Sequence, residues 1–137
     1  MRKTAQFILG TSAAIMILVA GGISPAAHAA GKLPDEKVCK DKKNPPTDAV
    51  TKGACVILDR RKGNCWGCHQ IAGAPSAGNI APPLVAMKAR FPDKAKLRAQ
   101  VEDPDNIKPG TVMPPFGRHA ILSKQEIDDL IEFLLTL

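Results

Sequence analysis

Tyrosine is absent from these 137 residues, tryptophan occurs once and phenylalanine four times. So few aromatics exclude two classes at once. Proteins that bind single-stranded nucleic acid stack bases on aromatic faces, so the basic balance of this chain, 19 Lys and Arg against 13 Asp and Glu, has another use, such as docking an acidic partner. A small domain with so little bulky apolar surface also cannot close a dry core unaided and takes a staple or a cofactor. No period-two run marks a strand and no internal repeat is present, which leaves an all-α fold.

Only one stretch is long and apolar. Met1-Arg2-Lys3 precedes a hydrophobic segment from Phe7 to Ala20, broken by Gly21-Gly22, and Ala27-His28-Ala29 supplies the small residues of a cleavage site. Residues 1–29 therefore read as a secretory signal peptide, cleaved on export, rather than as a membrane anchor. No membrane association is expected after cleavage. Residues 30–46 form a lysine-rich N-terminal extension without hydrophobic period, ending in Asn44-Pro45-Pro46, and read as irregular; residues 47–137 read as one domain. Charge is unevenly placed: nine Lys and Arg against five Asp and Glu from Ala30 to Lys62, eight of each from Gly63 onward. All four cysteines (39, 55, 65 and 68) follow the signal, where an oxidising compartment lets disulfides persist.

Thr47 or Asp48 can cap a helix running to about Arg61, with Val50, Ala54, Ile57 and Leu58 as its apolar stripe. Gly53 borders that stripe and lets another helix come close. Leu84 to Phe91 can form a short helix, and Pro92-Asp93 starts another that carries Leu97 and Val101 and stops at Asp103-Pro104. Ser123 to Glu126 is a capping-box pattern. Behind it Ile127, Leu130, Ile131 and Leu134 recur at i, i+3, i+4 and i+7, with Glu126, Asp128 and Asp129 as early acids. Gly73 to Pro83 and Asp105 to Gly117 are loops by their Gly and Pro content.

Cys65-Trp66-Gly67-Cys68-His69 carries the chemistry. Two thiols three apart, followed at once by histidine, are the attachment signature of haem c: the thiols become thioethers and His69 meets the iron. A thioredoxin-like redox pair would need a βαβ pattern, and a zinc site would need better-spaced partners than Cys39 and Cys55. For the opposite axial position the candidates are Met113, in the rigid loop Gly110 to Pro115, and Met87, which reads better as core filler; His119 is a further rival. A backbone carbonyl near Pro82 can accept the second ring N–H of His69, although Pro82-Pro83 can equally be a plain loop constraint. Cys39 and Cys55 are left either bridged, which would pin the extension to the first helix, or free. The run Lys88, Arg90, Lys94, Lys96 and Arg98 reads as a solvated helix face, with a docking patch as the alternative. His/Met ligation leaves no open iron position and suits electron transfer, whereas ligand binding or peroxidase chemistry requires one.

The first helix leading into Cys65 to His69, followed by Ile80-Ala81-Pro82-Pro83-Leu84, resembles the class I cytochrome c domain. Further residues resemble the SoxX family, the small monohaem subunits of SoxAX cytochromes in bacterial thiosulfate oxidation. These are Asp59-Arg60 with Gly63-Asn64, Arg90-Phe91-Pro92, Val101 to Pro104, Met113 to Gly117 and the tail Ile131 to Leu137. Ala81 stands where that family has Gly. The resemblance implies one covalent haem c anchored by Cys65 and Cys68 and ligated by His69 and Met113. It also implies a periplasmic heterodimer with a SoxA-type subunit. In such an S-thiosulfotransferase, thiosulfate is coupled oxidatively to a cysteine of the carrier SoxYZ. The SoxA-type subunit is catalytic, and the SoxX-type subunit passes electrons to a soluble cytochrome. A freely diffusing electron carrier is the second reading.

Overall fold

The computed structural model describes residues 31–137; the signal-peptide assignment lies outside the described residues. The architecture is helical, and the described residues contain no strand, only an isolated parallel bridge between His69 and Ala81. α1 (Glu36–Lys40) interrupts the extension that the sequence reads as irregular. It forms because the Asp35 carboxylate caps the Lys37 N–H at 2.8 Å and a disulfide holds Cys39 to Cys55, with 5.4 Å between their Cα atoms. Neither cause shows as hydrophobic periodicity. The extension is also held ahead of α1, where Leu33 is buried and its N–H donates to the Ala72 carbonyl at 3.0 Å.

α2 (Ala49–Leu58) is capped by the Asp48 carboxylate on the Thr51 N–H. It stops at Leu58 instead of continuing to Arg61. The Asp59 side chain accepts the Arg61 N–H, and the Asp59 carbonyl accepts from Lys62 and Asn64, a local alternative that outcompetes another helical turn. α3 (Met87–Arg90) is shorter than Leu84 to Phe91 because the Leu84 N–H is committed to the Gln70 carbonyl and Ala86 takes a left-handed φ of 50°. α4 (Lys94–Glu102), capped by Asp93, and α5 (Lys124–Leu134), with both halves of its capping box formed, start where their caps predict.

α2 and α5 cross at Gly53. A Cβ there would lie 2.0 Å from the Asp129 carbonyl oxygen and 2.8 Å from the Leu130 Cα, so only glycine permits this approach. The crossing explains why Asp129, an early acid of α5, is buried; its carboxylate accepts from Gln125 at 3.0 Å. Ile57, Ile127, Leu130, Ile131 and Leu134 bury their side chains together, joined by Trp66, Leu97, Val101 and Phe116 in one core. Two of the five cations of the basic run on α3 and α4 are paired, Lys94 with Glu132 and Arg98 with Glu102 and, at 2.7 Å, with Asp128, while Lys88, Arg90 and Lys96 are exposed and have no carboxylate partner among the described residues. Arg98 is held more firmly protonated than usual, chiefly by its hydrogen bond to Asp128.

Candidate functional site

The attachment motif follows α2 by a tight reversal. Asn64 adopts a left-handed φ of 45°, which an Asn tolerates better than most residues, and Cys65–Gly67 then form one 3-10 turn. The Cys65 carbonyl accepts from both Cys68 (3.2 Å) and His69 (2.9 Å), which holds the two cysteines and the histidine in one coil of chain. Trp66, inside that coil, turns into the core with the Arg60 guanidinium 5.0 Å from its ring centroid.

The loop from Gly78 to Leu84 lies along the motif through three backbone bonds. Gly78, Ala81 and Leu84 donate to the carbonyls of Trp66, Cys68 and Gln70 at 2.9, 3.0 and 2.9 Å. Gly78 is required here, since a Cβ would meet the Gly67 carbonyl oxygen at 2.5 Å and Cys68 backbone atoms at 2.6 to 2.7 Å. Ala81 makes the approach to the prolines without a positive φ, so the alanine in place of Gly carries no strain. The alignment sets the Pro82 carbonyl 2.6 Å from His69 Nδ1. A carbonyl only accepts, so Nδ1 carries the hydrogen and Nε2 keeps a lone pair, the form in which imidazole binds a metal.

Cys65 and Cys68 are free thiols. Burial pushes the Cys65 thiol up to about 12, the opposite of the depressed value that a dithiol oxidoreductase needs for its attacking thiolate. Cys39 and Cys55 occupy each other. Among the described residues no group of three or more His, Cys, Asp or Glu could hold a metal ion. The bridge takes Cys39 and Cys55 away as zinc partners for Cys65 and Cys68.

Met113 comes from the loop after α4. Phe116, buried, anchors that loop; Gly117 and Arg118 donate to the Glu102 carbonyl, and Arg118 pairs with Asp103 and Asp105. The Met113 side chain is part-buried against the same core as Cys65, and Gln100 Nε2 lies 3.8 Å from its sulfur. Met87 is a fully packed core residue, and His119 is exposed. Gln100 went unnoticed in the sequence because a glutamine between Leu97 and Val101 looks like any solvent-facing helix position.

The residues present fit a covalent haem. Two free thiols flank an imidazole with one nitrogen engaged and the other without a partner among the described residues, and a thioether is held on a braced loop. Cys65 and Cys68 would anchor it, and His69 and Met113 would ligate the iron. Haem iron, when bound, cycles between ferric and ferrous and so carries one electron. This chain's own part would be to keep the His69 Nδ1–H donating to the Pro82 carbonyl and to keep the loops that carry His69 and Met113 braced. A cleft of about 780 Å³ between α1, α2 and the 59–62 turn contains none of these residues.

The cytochrome c family model matches residues 50–137, and the chain belongs to that family, whose domain implies covalent haem c and electron transfer. In structure the chain is similar to the SoxXA cytochrome of P. pantotrophus. That likeness is 27% identical, covers 74% of this chain and 90% of the other, and has a TM-score of 0.59. The domain is thus SoxX-like. It is also 32% identical over 77 residues to an uncharacterized lipoprotein of Aquifex aeolicus (strain VF5), over 54% of this chain and 36% of that protein. The chain therefore spans about a third of the length of this curated relative. No helix among the described residues is long and apolar enough to cross a membrane.

Proposed function

We propose that this chain is the electron-transfer subunit of a periplasmic, SoxAX-type S-thiosulfotransferase, carrying one haem c on Cys65 and Cys68 with His69 and Met113 as axial ligands. Its partner is a SoxA-type cytochrome subunit, which conducts the chemistry. There, thiosulfate sulfur bonds to a cysteine sulfur of a SoxYZ-type carrier as the thiol S–H bond breaks, its proton passing to solvent and two electrons being released. They leave singly through this chain to a soluble cytochrome. The observation that carries the reading is the likeness to a SoxXA chain over nine tenths of its length.

The surface favours a close apolar contact with that partner. Ile80 and Val85 are 73% and 53% exposed beside the prolines that serve His69, and Ile107 and Val112 are 52% and 86% exposed on the loop that carries Met113. Of the basic run that could make a charged docking face, Lys94 and Arg98 are spent in ion pairs with α5 and within α4. Complex formation with a SoxA-type subunit should therefore change little between about 50 and 500 mM salt, a range that takes exposed charges from weak to strong screening. Thiosulfate turnover should appear only when the two chains are combined. Turnover by this chain alone, or a complex never formed with any SoxA-type subunit, would refute the assignment; the second outcome would leave a free electron carrier.

A further inference from the structure

We propose that Arg90 is a positioning residue for His69, acting through the Pro82-Pro83 segment. This inference rests on His69 as the iron ligand and is independent of the thiosulfate reading.

The orientation of the His69 ring depends on one hydrogen bond, from Nδ1 to the Pro82 carbonyl. That carbonyl is fixed only as well as its own segment is fixed. Backbone bonds pin the chain on either side, at Ala81 and at Leu84. Between them stand two prolines, which have no N–H to donate. Whatever steadies this gap must act on carbonyl oxygens. Arg90 does so: its Nη1 donates to the Pro83 carbonyl at 2.8 Å, one peptide beyond the acceptor of His69. The same nitrogen lies 3.5 Å from the sulfur of buried Met87, and the guanidinium lies 6.0 Å from the Phe91 ring centroid.

The fold is arranged to bring this side chain back seven residues. Ala86 adopts a φ of 50°, which an L-residue takes only at a cost, and this reverses the chain into α3. The Met87 N–H is held by the Leu137 carbonyl at 2.8 Å, so the start of α3 is tied to the C-terminal segment. No acid competes for Arg90. Lys94 and Arg98 are paired with acids, whereas Arg90, like Lys88 and Lys96, has no carboxylate partner among the described residues, and its Nη1 donates to the proline segment. A charged donor to a carbonyl makes a stronger bond than a neutral one, and the planar guanidinium can hold two acceptors in fixed directions.

The test uses haem-loaded protein in the reduced, diamagnetic state, with Arg90→Met and Arg90→Lys variants. The measurement is solvent exchange of the His69 Nδ1 hydrogen by NMR, with the Leu130 and Ile131 amides as a report on overall stability. Arg90→Met should speed Nδ1 exchange about tenfold or more, the factor implied by losing a charge-assisted hydrogen bond. The α5 amides should move far less, and Arg90→Lys should recover most of the protection through its single ammonium. Unchanged Nδ1 exchange in Arg90→Met would overturn the proposal. So would an acceleration that merely tracks Leu130 and Ile131, since that reports general loosening. If wild-type protein shows no iron-ligated His69 at all, the ligand set fails and the positioning role fails with it.

Discussion

Replacing Gly53 with alanine tests the helix crossing on which the site is built. The new methyl would sit 2.0 Å from the Asp129 carbonyl oxygen, 2.5 Å from its carbon and 2.8 Å from the Leu130 Cα, all backbone atoms of α5 that no rotamer change can move. The helices must separate by about 1 Å or more, since close-packed interiors hold no spare room. Five large side chains meet around this crossing: Ile57, Ile127, Leu130, Ile131 and Leu134, each at most 4% exposed. At about 2 kcal/mol per buried side chain they contribute roughly 10 kcal/mol. A gap of about 1 Å forfeits about half of the packing, or roughly 5 kcal/mol. Alanine returns about 1 kcal/mol as the better helix former, so the net loss is about 4 kcal/mol, or about 20 °C in Tm for a domain of this size. Denaturant melts of haem-loaded protein, followed by far-ultraviolet circular dichroism and by the Soret band, should show a lower midpoint with unchanged slope. Lys52→Ala, at an exposed position of the same helix, should be close to neutral. A Gly53→Ala protein as stable as the parent would refute the close crossing.

Three further outcomes follow from the same geometry. Cys39 and Cys55 should resist alkylation until a reductant is added, and replacing both with serine should cost up to about 3 kcal/mol while sparing the haem spectrum; two labelled thiols in unreduced protein would contradict the bridge. Glu126 is held below its ordinary value of 4.5, first by Lys62 and then by Ser123. The stability it contributes is thus full above about pH 5 and is lost as pH falls through the depressed folded value, so Glu126→Gln should be less stable than the parent at pH 7 and converge with it in acid. A constant difference across that range would refute the linkage. Met113→Ala should abolish the near-infrared sulfur-to-iron band of the oxidised protein; a persisting band would move the ligand to Met87, against the tight packing of that residue.

The helices were legible wherever a cap and a stripe coincide. Asp48, Asp93 and Ser123 start α2, α4 and α5 as their side chains dictate, and the i, i+3, i+4, i+7 pattern behind Ser123 became the buried face of α5. Glycine beside an apolar stripe was enough to anticipate a close helix approach at Gly53. Boundaries were less legible. The end of α2 depends on an aspartate side chain competing for backbone N–H groups, and the start of α3 depends on a hydrogen bond to Gln70 from a distant part of the chain.

Local chemistry determined the candidate haem-attachment residues. A Cys-x-x-Cys-His run places two thiols and an imidazole on one coil of chain whatever surrounds it, so sequence alone supplied Cys65, Cys68 and His69 as candidates. What only the tertiary structure decided is which groups hold them. Pro82 was one of two readings of a Pro-Pro loop until Gly78, Ala81 and Leu84 aligned that loop along residues 66–70 and set a carbonyl against Nδ1. Gln100 beside the Met113 sulfur, Arg90 on the Pro83 carbonyl, and the ion pairs of Lys94 and Arg98 with α5 all join residues from separate segments of chain. A motif is legible because covalent spacing alone delivers it, whereas a hydrogen bond between separate segments exists only once the core has brought them together.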